Sequence, residues 1–327
     1  MLDRRRPARY VSRPDMAAPA LQVTDLVKVY QRRGAPPVRA VDGLGFEVRA
    51  GSIFGLLGPN GAGKTTTLKV LNTRVPPTSG RVTVLGFDVA RQGLEVRRRI
   101  SVVLQESSAE MFLSVRDNLL TYLRFFGVAG AEARRRADDV LARFEIEPQA
   151  ERKVMDLSGG QRRRVQVAKV FLVQTPVLFM DEFSTGMDPI LKRAVMEMLR
   201  AETARGRTIV LTTQILSEAE ELCDDILIMN RGREVARGDV NTLKLLGDAV
   251  KDVSITFERL PEGIEDAIRA LNPLHVRISQ NTVEVGLRMP EADVLDVVRG
   301  LAGRGKVLRL EVSGASLEDV FVDLMGQ

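Results

Sequence analysis

The eight residues Gly58-Pro59-Asn60-Gly61-Ala62-Gly63-Lys64-Thr65 set two glycines, a lysine and a hydroxyl at the spacing that wraps a polyphosphate. Glycine lets the backbone curl until successive N–H groups point at phosphate oxygens, and a helix opening directly behind adds its positive end. In such a loop Lys64 reaches the β and γ phosphates, Thr65 offers its hydroxyl to Mg²⁺, and Thr66 lies beside it at the helix start. A plain glycine-rich turn would leave the lysine unexplained. Farther along, Val177-Leu178-Phe179-Met180 is an apolar run that ends abruptly in two carboxylates, Asp181 and Glu182. As a strand of an open parallel sheet, it would deliver Asp181 to the metal at its carboxyl end. Glu182 would then accept a proton from attacking water, an effect of about 10²- to 10⁴-fold. The alternative is a pair of strand-end acids that merely face solvent.

These groups meet only if strands and helices alternate around one sheet. From about residue 21 to 240, short β-branched runs do alternate with helical patterns, which predicts an α/β domain with a largely parallel core. Strands are expected at 52–57, 100–104, 177–180, 208–213 and 226–229, and a helix at 65–71. Apolar residues recur at helical spacing through Leu119, Tyr122, Leu123 and Phe126, then Val140, Leu141 and Phe144, so a helical lobe is expected over about 106–157. A linker is expected near 239–249. Strands at 253–257, 276–279, 283–287 and 307–312, with helices at 264–271, 292–301 and 317–324, then predict a small α+β domain over 250–327. Its βαββαβ order suggests helices on one face of the sheet.

With 327 residues, 44% hydrophobic and 28% charged, the chain has room for two domains and the composition of a folded globular protein. No run approaches about 18 apolar residues, so no membrane span is expected. Residues 1–20 hold five arginines against Asp3 and Asp15, without the apolar segment of a secretory signal, and read as a basic disordered tail. That tail supplies +3 of the net charge of +5, and the remainder predicts no nucleic-acid partner. The single cysteine, Cys223, excludes an internal disulfide, fits a reducing cytoplasm and reads as a small buried hydrophobe on a helix over 218–225. The lone His275 has no histidine to join it in a metal site and is given no role.

Leu157-Ser158-Gly159-Gly160-Gln161, beginning 24 residues before Asp181, resembles the signature of the ABC ATPases in every residue, and further matches extend the resemblance over nearly all of 21–240. The resemblance implies a P-loop NTPase fold of ABC type, ATP and Mg²⁺ as ligands, and hydrolysis of ATP to ADP and phosphate. It also implies a head-to-tail dimer with a second copy, in which each signature binds the γ phosphate held by the other chain. Ser158 and two glycines at a helix start suit that role as an anion-binding N-terminus. By the same resemblance Tyr30 stacks on adenine, with core packing as the rival reading of its ring. Gln105 touches metal and attacking water, Asp181 holds the metal through water, and Asp188 communicates across the dimer. Residues 112–119 and 316–321 resemble exporters of the drug, polysaccharide or antibiotic-resistance type. There an accessory C-terminal domain follows, and separate transmembrane permease chains would hold this subunit at the cytoplasmic face of the membrane.

Two positions depart from the family. Gln214 stands where a histidine ordinarily contacts the γ phosphate; its amide can donate a hydrogen bond but cannot carry a proton, which predicts slow turnover. Phe183 replaces the usual proline, so packing rather than a fixed φ would hold the loop after Glu182. Three arginine runs, 97–99, 134–136 and 162–164, read as solvated helix faces, with anionic-lipid or RNA patches as the alternative and the third run able to lend positive potential to phosphate. The rival functions are a soluble ABC ATPase acting on ribosomes or DNA and a binding-only ATP switch.

Overall fold

The computed structural model describes residues 18–32, 34–104, 110–246, 250–289, 291–314 and 316–326. The chain divides after Val235 into two units.

The first unit opens with β1 (Leu21–Arg32) and β2 (Ala35–Val48), an antiparallel pair, followed by β3 (Ile53–Leu57), α1 (Lys64–Leu71), β4 (Ser79–Val84), β5 (Phe87–Asp88), α2 (Gly93–Arg97) and β6 (Ile100–Val103). Then come α3 (Val115–Phe125), α4 (Gly130–Arg143), two single turns of 3₁₀ helix, α5 (Gly159–Val170), β7 (Val177–Asp181), α6 (Pro189–Ala204), β8 (Thr208–Thr213), α7 (Leu216–Leu222), β9 (Asp225–Asn230) and β10 (Arg233–Gly238), within which the division falls. One sheet runs β10-β9-β3-β8-β7-β6, and β9, β3, β8, β7 and β6 are parallel throughout. Every residue of β3, β7 and β8 is buried, which is why β3, β7 up to Met180 and Ile209 to Leu211 of β8 read as unbroken apolar runs rather than alternating ones.

A second sheet, β2-β1-β4-β5, is antiparallel and was not foreseen. Its period-2 signal is broken: β1 and β2 slip register four times, and the first half of β2 is exposed. Leu26, Leu44 and Phe46 nevertheless close one core with Phe54, Leu56 and Phe179 of the parallel sheet, with the Phe46 and Phe54 rings stacked 5.1 Å apart. Ala20, placed by the sequence in the tail, is buried and hydrogen-bonds to Val48 O through its N–H. Cys223 is buried as expected, but the helix stops at Leu222, because the Asp224 carboxylate turns back to accept from Ile53 N–H and β9 begins at Asp225. Gly55 makes the room: a Cβ there would stand 2.7 Å from Cys223 Sγ.

The second unit contains α8 (Val240–Leu245), β11 (Val250–Phe257), α9 (Ile264–Arg269), β12 (His275–Ser279), β13 (Thr282–Arg288), α10 (Glu291–Ala302), β14 (Val307–Gly314) and α11 (Leu317–Gly326). Its antiparallel sheet runs β12-β13-β11-β14. Val253, Ile255, Phe257, Val283 and Val285 pack against Ile264 and Ile268 of α9 and Val294, Val298 and Leu301 of α10. Two expectations are corrected. The linker region contains α8, whose N-terminus is capped by the Asp239 side chain accepting from Thr242 N–H. The helices do not all share one face: α11 brings Asp319 to His275, which lies in register with Gly286 and Asp252 on the face turned away from Val253 and Val285.

Candidate functional site

The glycine-rich loop leaves the carboxyl end of β3, buried at the centre of the parallel sheet, and turns directly into α1. Two of its glycines are sterically required. A Cβ on Gly58 would lie 2.3 Å from Met229 O, and one on Gly63, at φ +105°, 2.5 Å from Ala40 O. Gly61, at φ +81°, faces open space, where backbone N–H groups can be approached. Pro59 O accepts from Ala62 N–H and Gly63 O from Thr67 N–H, so the curl passes into the helix without a break. The Lys64 ammonium lies inside the curl, donating to Gly58 O at 2.7 Å and Pro59 O at 3.1 Å. Burial pulls its pKa below the usual lysine range, while the negative charges of Glu182 and Asp181 act in the opposite direction. Asn60 is exposed, and Thr65 and Thr66 are half-buried at the first turn of α1.

The β7 strand is separated from β3 by β8, yet its terminal acid reaches the loop. Thr65 Oγ1 donates to Asp181 Oδ1 at 3.1 Å, across 116 residues of sequence. A hydroxyl with a carboxylate held beside it fits the Mg²⁺ ion that the site chemistry implies, the hydroxyl as a direct oxygen ligand and the carboxylate as acceptor from a water on the ion. Thr212, on the intervening strand, joins the acids: its Oγ1 donates to Asp181 Oδ1 at 2.5 Å, and its Oγ1 and carbonyl oxygen both accept from Glu182 N–H. Glu182 is held at φ +45°, a left-handed conformation that costs a non-glycine residue about 1–2 kcal/mol. Phe183, next in line, is fully buried, so packing holds this turn. Thr212 is not singled out by the sequence; its position one residue before the end of a buried strand is the available signal.

Ser158 caps α5: its Oγ accepts from Gln161 N–H, and Gln161 Oε1 accepts from Ser158 N–H, a reciprocal capping box. Leu157 is buried, whereas Ser158 and Gly159 are exposed, and a Cβ on Gly160 would lie 3.1 Å from Gly186 O. Asp188 caps α6 by accepting from Leu191 N–H, and Arg164 of α5 donates to it at 3.0 Å; both hold its carboxyl below the usual carboxylate range. Gln214 is exposed one residue past β8. Tyr30 is half-buried on β1 with the Lys28 ammonium 5.1 Å from its ring centroid, which disfavours the core reading. Gln105 lies outside the described residues. Thus the structure brings together Lys64, Thr65, Asp181 and Glu182, and links the Ser158–Gln161 segment to the same strand end through α5.

The solvated-face reading of the arginine runs holds for the exposed Arg98 and Arg135, which pair with nearby acids; Arg99 and Arg136 pair likewise but are half-buried, and the reading fails at Arg163. That side chain is buried and donates to carbonyl oxygens of Leu104, Asp181, Glu182 and Phe183. Nothing in a run of like residues singles out the middle one. In the second unit His275 stands between Asp252, 3.3 Å from Nε2, and Asp319, 3.4 Å from Nδ1.

The sequence profile of the ABC transporter family matches residues 41–185. A daunorubicin resistance ATP-binding protein of Streptomyces coeruleorubidus is 37% identical over 88% of this chain and 91% of its own length. A Nod factor export ATP-binding protein I of Burkholderia orbicola (strain AU 1054) is 37% identical over 88% and 92%. Among solved structures, an ATP-binding subunit of an ABC transporter superposes with TM-score 0.64 at 28% identity, covering 69% of this chain and 92% of that one. A dimeric ATP-binding cassette in a post-hydrolysis state with ADP and Pi has TM-score 0.63 at 24% identity, covering 67% and 98%, a likeness of fold.

Proposed function

The chain belongs to the ABC transporter family as an ATP-binding subunit of its export type, and from that premise we propose that it hydrolyses ATP to drive two separate transmembrane permease subunits. No helix among the described residues is long and apolar enough to cross a membrane; in this reading the partner chains carry the path for cargo. The relatives are named for daunorubicin resistance and Nod factor export, which supports export as the direction. The subunit would then work at the cytoplasmic face, held to the membrane by the permease.

In this reading the N–H groups of residues 58–66 and the Lys64 ammonium bind the triphosphate, and Tyr30 stacks on the adenine. Thr65 and Gln105, with Asp181 through water, would hold Mg²⁺, which would supply charge neutralisation at the phosphates. Glu182 orients the attacking water and takes its proton. Gln214 donates to the γ phosphate. A second copy closes head-to-tail, bringing Leu157 to Gln161 onto that phosphate, with Asp188 at the seam. Closure on two ATP molecules and reopening after hydrolysis would move the permease.

One observation carries the reading: Thr65 and Asp181 touch, and Thr212 bonds both Asp181 and the Glu182 N–H, so the loop and the two acids meet at the carboxyl ends of β3, β7 and β8. Glu182→Gln tests it. Phosphate release should fall by at least about 10²-fold while ATP binding persists and an ATP-bound dimer accumulates on size exclusion. A variant that retains most of the wild-type rate would remove Glu182 as the base.

A further inference from the structure

Arg163 lies two residues beyond the Ser158–Gln161 segment, on α5, and its side chain points away from solvent, with only 7% of the residue exposed. A guanidinium has five N–H donors, and all five are used. Nε donates to Phe183 O at 3.1 Å. One terminal nitrogen donates to Leu104 O at 2.6 Å and Gln166 Oε1 at 3.1 Å, and the other to Asp181 O at 2.8 Å and Glu182 O at 2.6 Å. Burying a cation is costly unless every donor is satisfied, so a group this completely matched marks a geometry that the surrounding backbone is built to keep.

Three successive carbonyls, those of Asp181, Glu182 and Phe183, converge on one planar fork. That convergence accompanies the left-handed turn at Glu182, φ +45°. Left to itself a glutamate leaves such a conformation, and its carboxylate would swing with it. The Glu182 carbonyl also accepts from Thr185 N–H, and its N–H donates to Thr212, so the residue is gripped on both sides of its Cα. The fourth carbonyl belongs to Leu104, the residue directly before Gln105.

We propose that Arg163 is a positioning residue for hydrolysis: it holds the Asp181–Phe183 turn in the conformation that aims the Glu182 carboxylate, and fastens that turn to α5, the helix that begins at the signature. The inference rests on the reading of Glu182 as the base. It makes a definite claim about mechanism: Arg163 acts through Glu182 and not on the nucleotide.

A double-mutant cycle tests this in the full chain, using single-turnover hydrolysis of radiolabelled ATP and nucleotide affinity by equilibrium binding. Arg163→Met should lower the hydrolysis rate by about 10- to 100-fold while changing ATP affinity by less than about 3-fold. In the Glu182→Gln background the same substitution should change the rate by less than about 2-fold, because the group it aims is already gone. Arg163→Lys, which keeps the charge but not the planar fork, should fall between wild type and Met, and it carries the cycle if the Met variant does not fold. Equal losses in both backgrounds, or an undiminished rate in a folded Arg163 variant, would overturn the proposal. A Glu182→Gln chain that still hydrolyses at most of the wild-type rate would instead overturn the base assignment, so the two failures are distinguishable.

Discussion

Gln214 lies exposed just past the end of β8, with no hydrogen bond to the chain among the described residues, so its substitution should leave stability within about 0.5 kcal/mol. If its amide donates to the γ phosphate, Gln214→Ala should lower turnover by about 10-fold, the scale of one lost charge-assisted hydrogen bond. Gln214→His should raise turnover, since imidazole can also relay a proton. Steady-state phosphate release reads both, and the positioning role falls if neither variant differs from wild type. Residues of this kind were legible because a short stretch of sequence carries them: Lys64 and Thr65 sit in one octapeptide, and Asp181 and Glu182 end one apolar run. Arg163 and Thr212 were not legible. Their partners lie 59 and 31 residues away in the cases of Leu104 and Asp181, and only the folded sheet brings those atoms within reach.

At the scale of elements, the buried parallel strands appeared within about two residues of their expected bounds, because strands covered on both faces carry apolar and β-branched residues on both. The antiparallel sheet of β1, β2, β4 and β5 escaped notice, since its bulges and exposed ends erase the alternation that marks such strands. The small second sheet was read in the right order, but not the side taken by α11. That helix matters for pH. Burial pushes the Asp252 carboxyl up to about 6 from its usual 3.8, and the charges of Asp319 on α11 and Glu284 on β13 add to the effect; a protonated His275 on β12 opposes it. A folded-state pKa above the unfolded one means that the folded chain holds a proton the unfolded chain releases. The associated stability is therefore full below about pH 4, is lost as pH rises through about 6, and stays lost above. Asp252→Asn should accordingly stabilise the second unit at pH 8 by on the order of 1 kcal/mol after solvent screening, seen as a higher melting temperature, and leave its stability unchanged at pH 4. A gain of the same size at both pH values, in scanning calorimetry, would show that charge is not the cause.

The proposed phosphate site is shared between two molecules, and a glycine offers the means to test that proposal. Gly159 is exposed at the first position of α5, its φ is not left-handed, and a Cβ added there meets nothing within 4 Å. Gly159→Asp should therefore fold normally, and a carboxylate at a helix N-terminus is favourable by about 0.3–1 kcal/mol. Inside its own chain the new side chain disturbs nothing; across a head-to-tail interface it would stand where the γ phosphate of the second copy is expected, and like charge would exclude it. The variant should thus bind ATP through its intact loop and fail to turn it over. Lys64→Ala should fail for the opposite reason, losing the phosphate grip while keeping its signature. Neither homodimer has a working site, but a mixed dimer has one: the loop of the Gly159→Asp chain facing the signature of the Lys64→Ala chain. Random pairing in an equimolar mixture makes half the dimers mixed, each with one of two sites intact, so phosphate release should recover to about a quarter of the wild-type rate. A signature that served its own chain would leave both partners of every mixed dimer broken, and a mixture as inactive as its components would remove the in-trans assignment of Ser158 to Gln161.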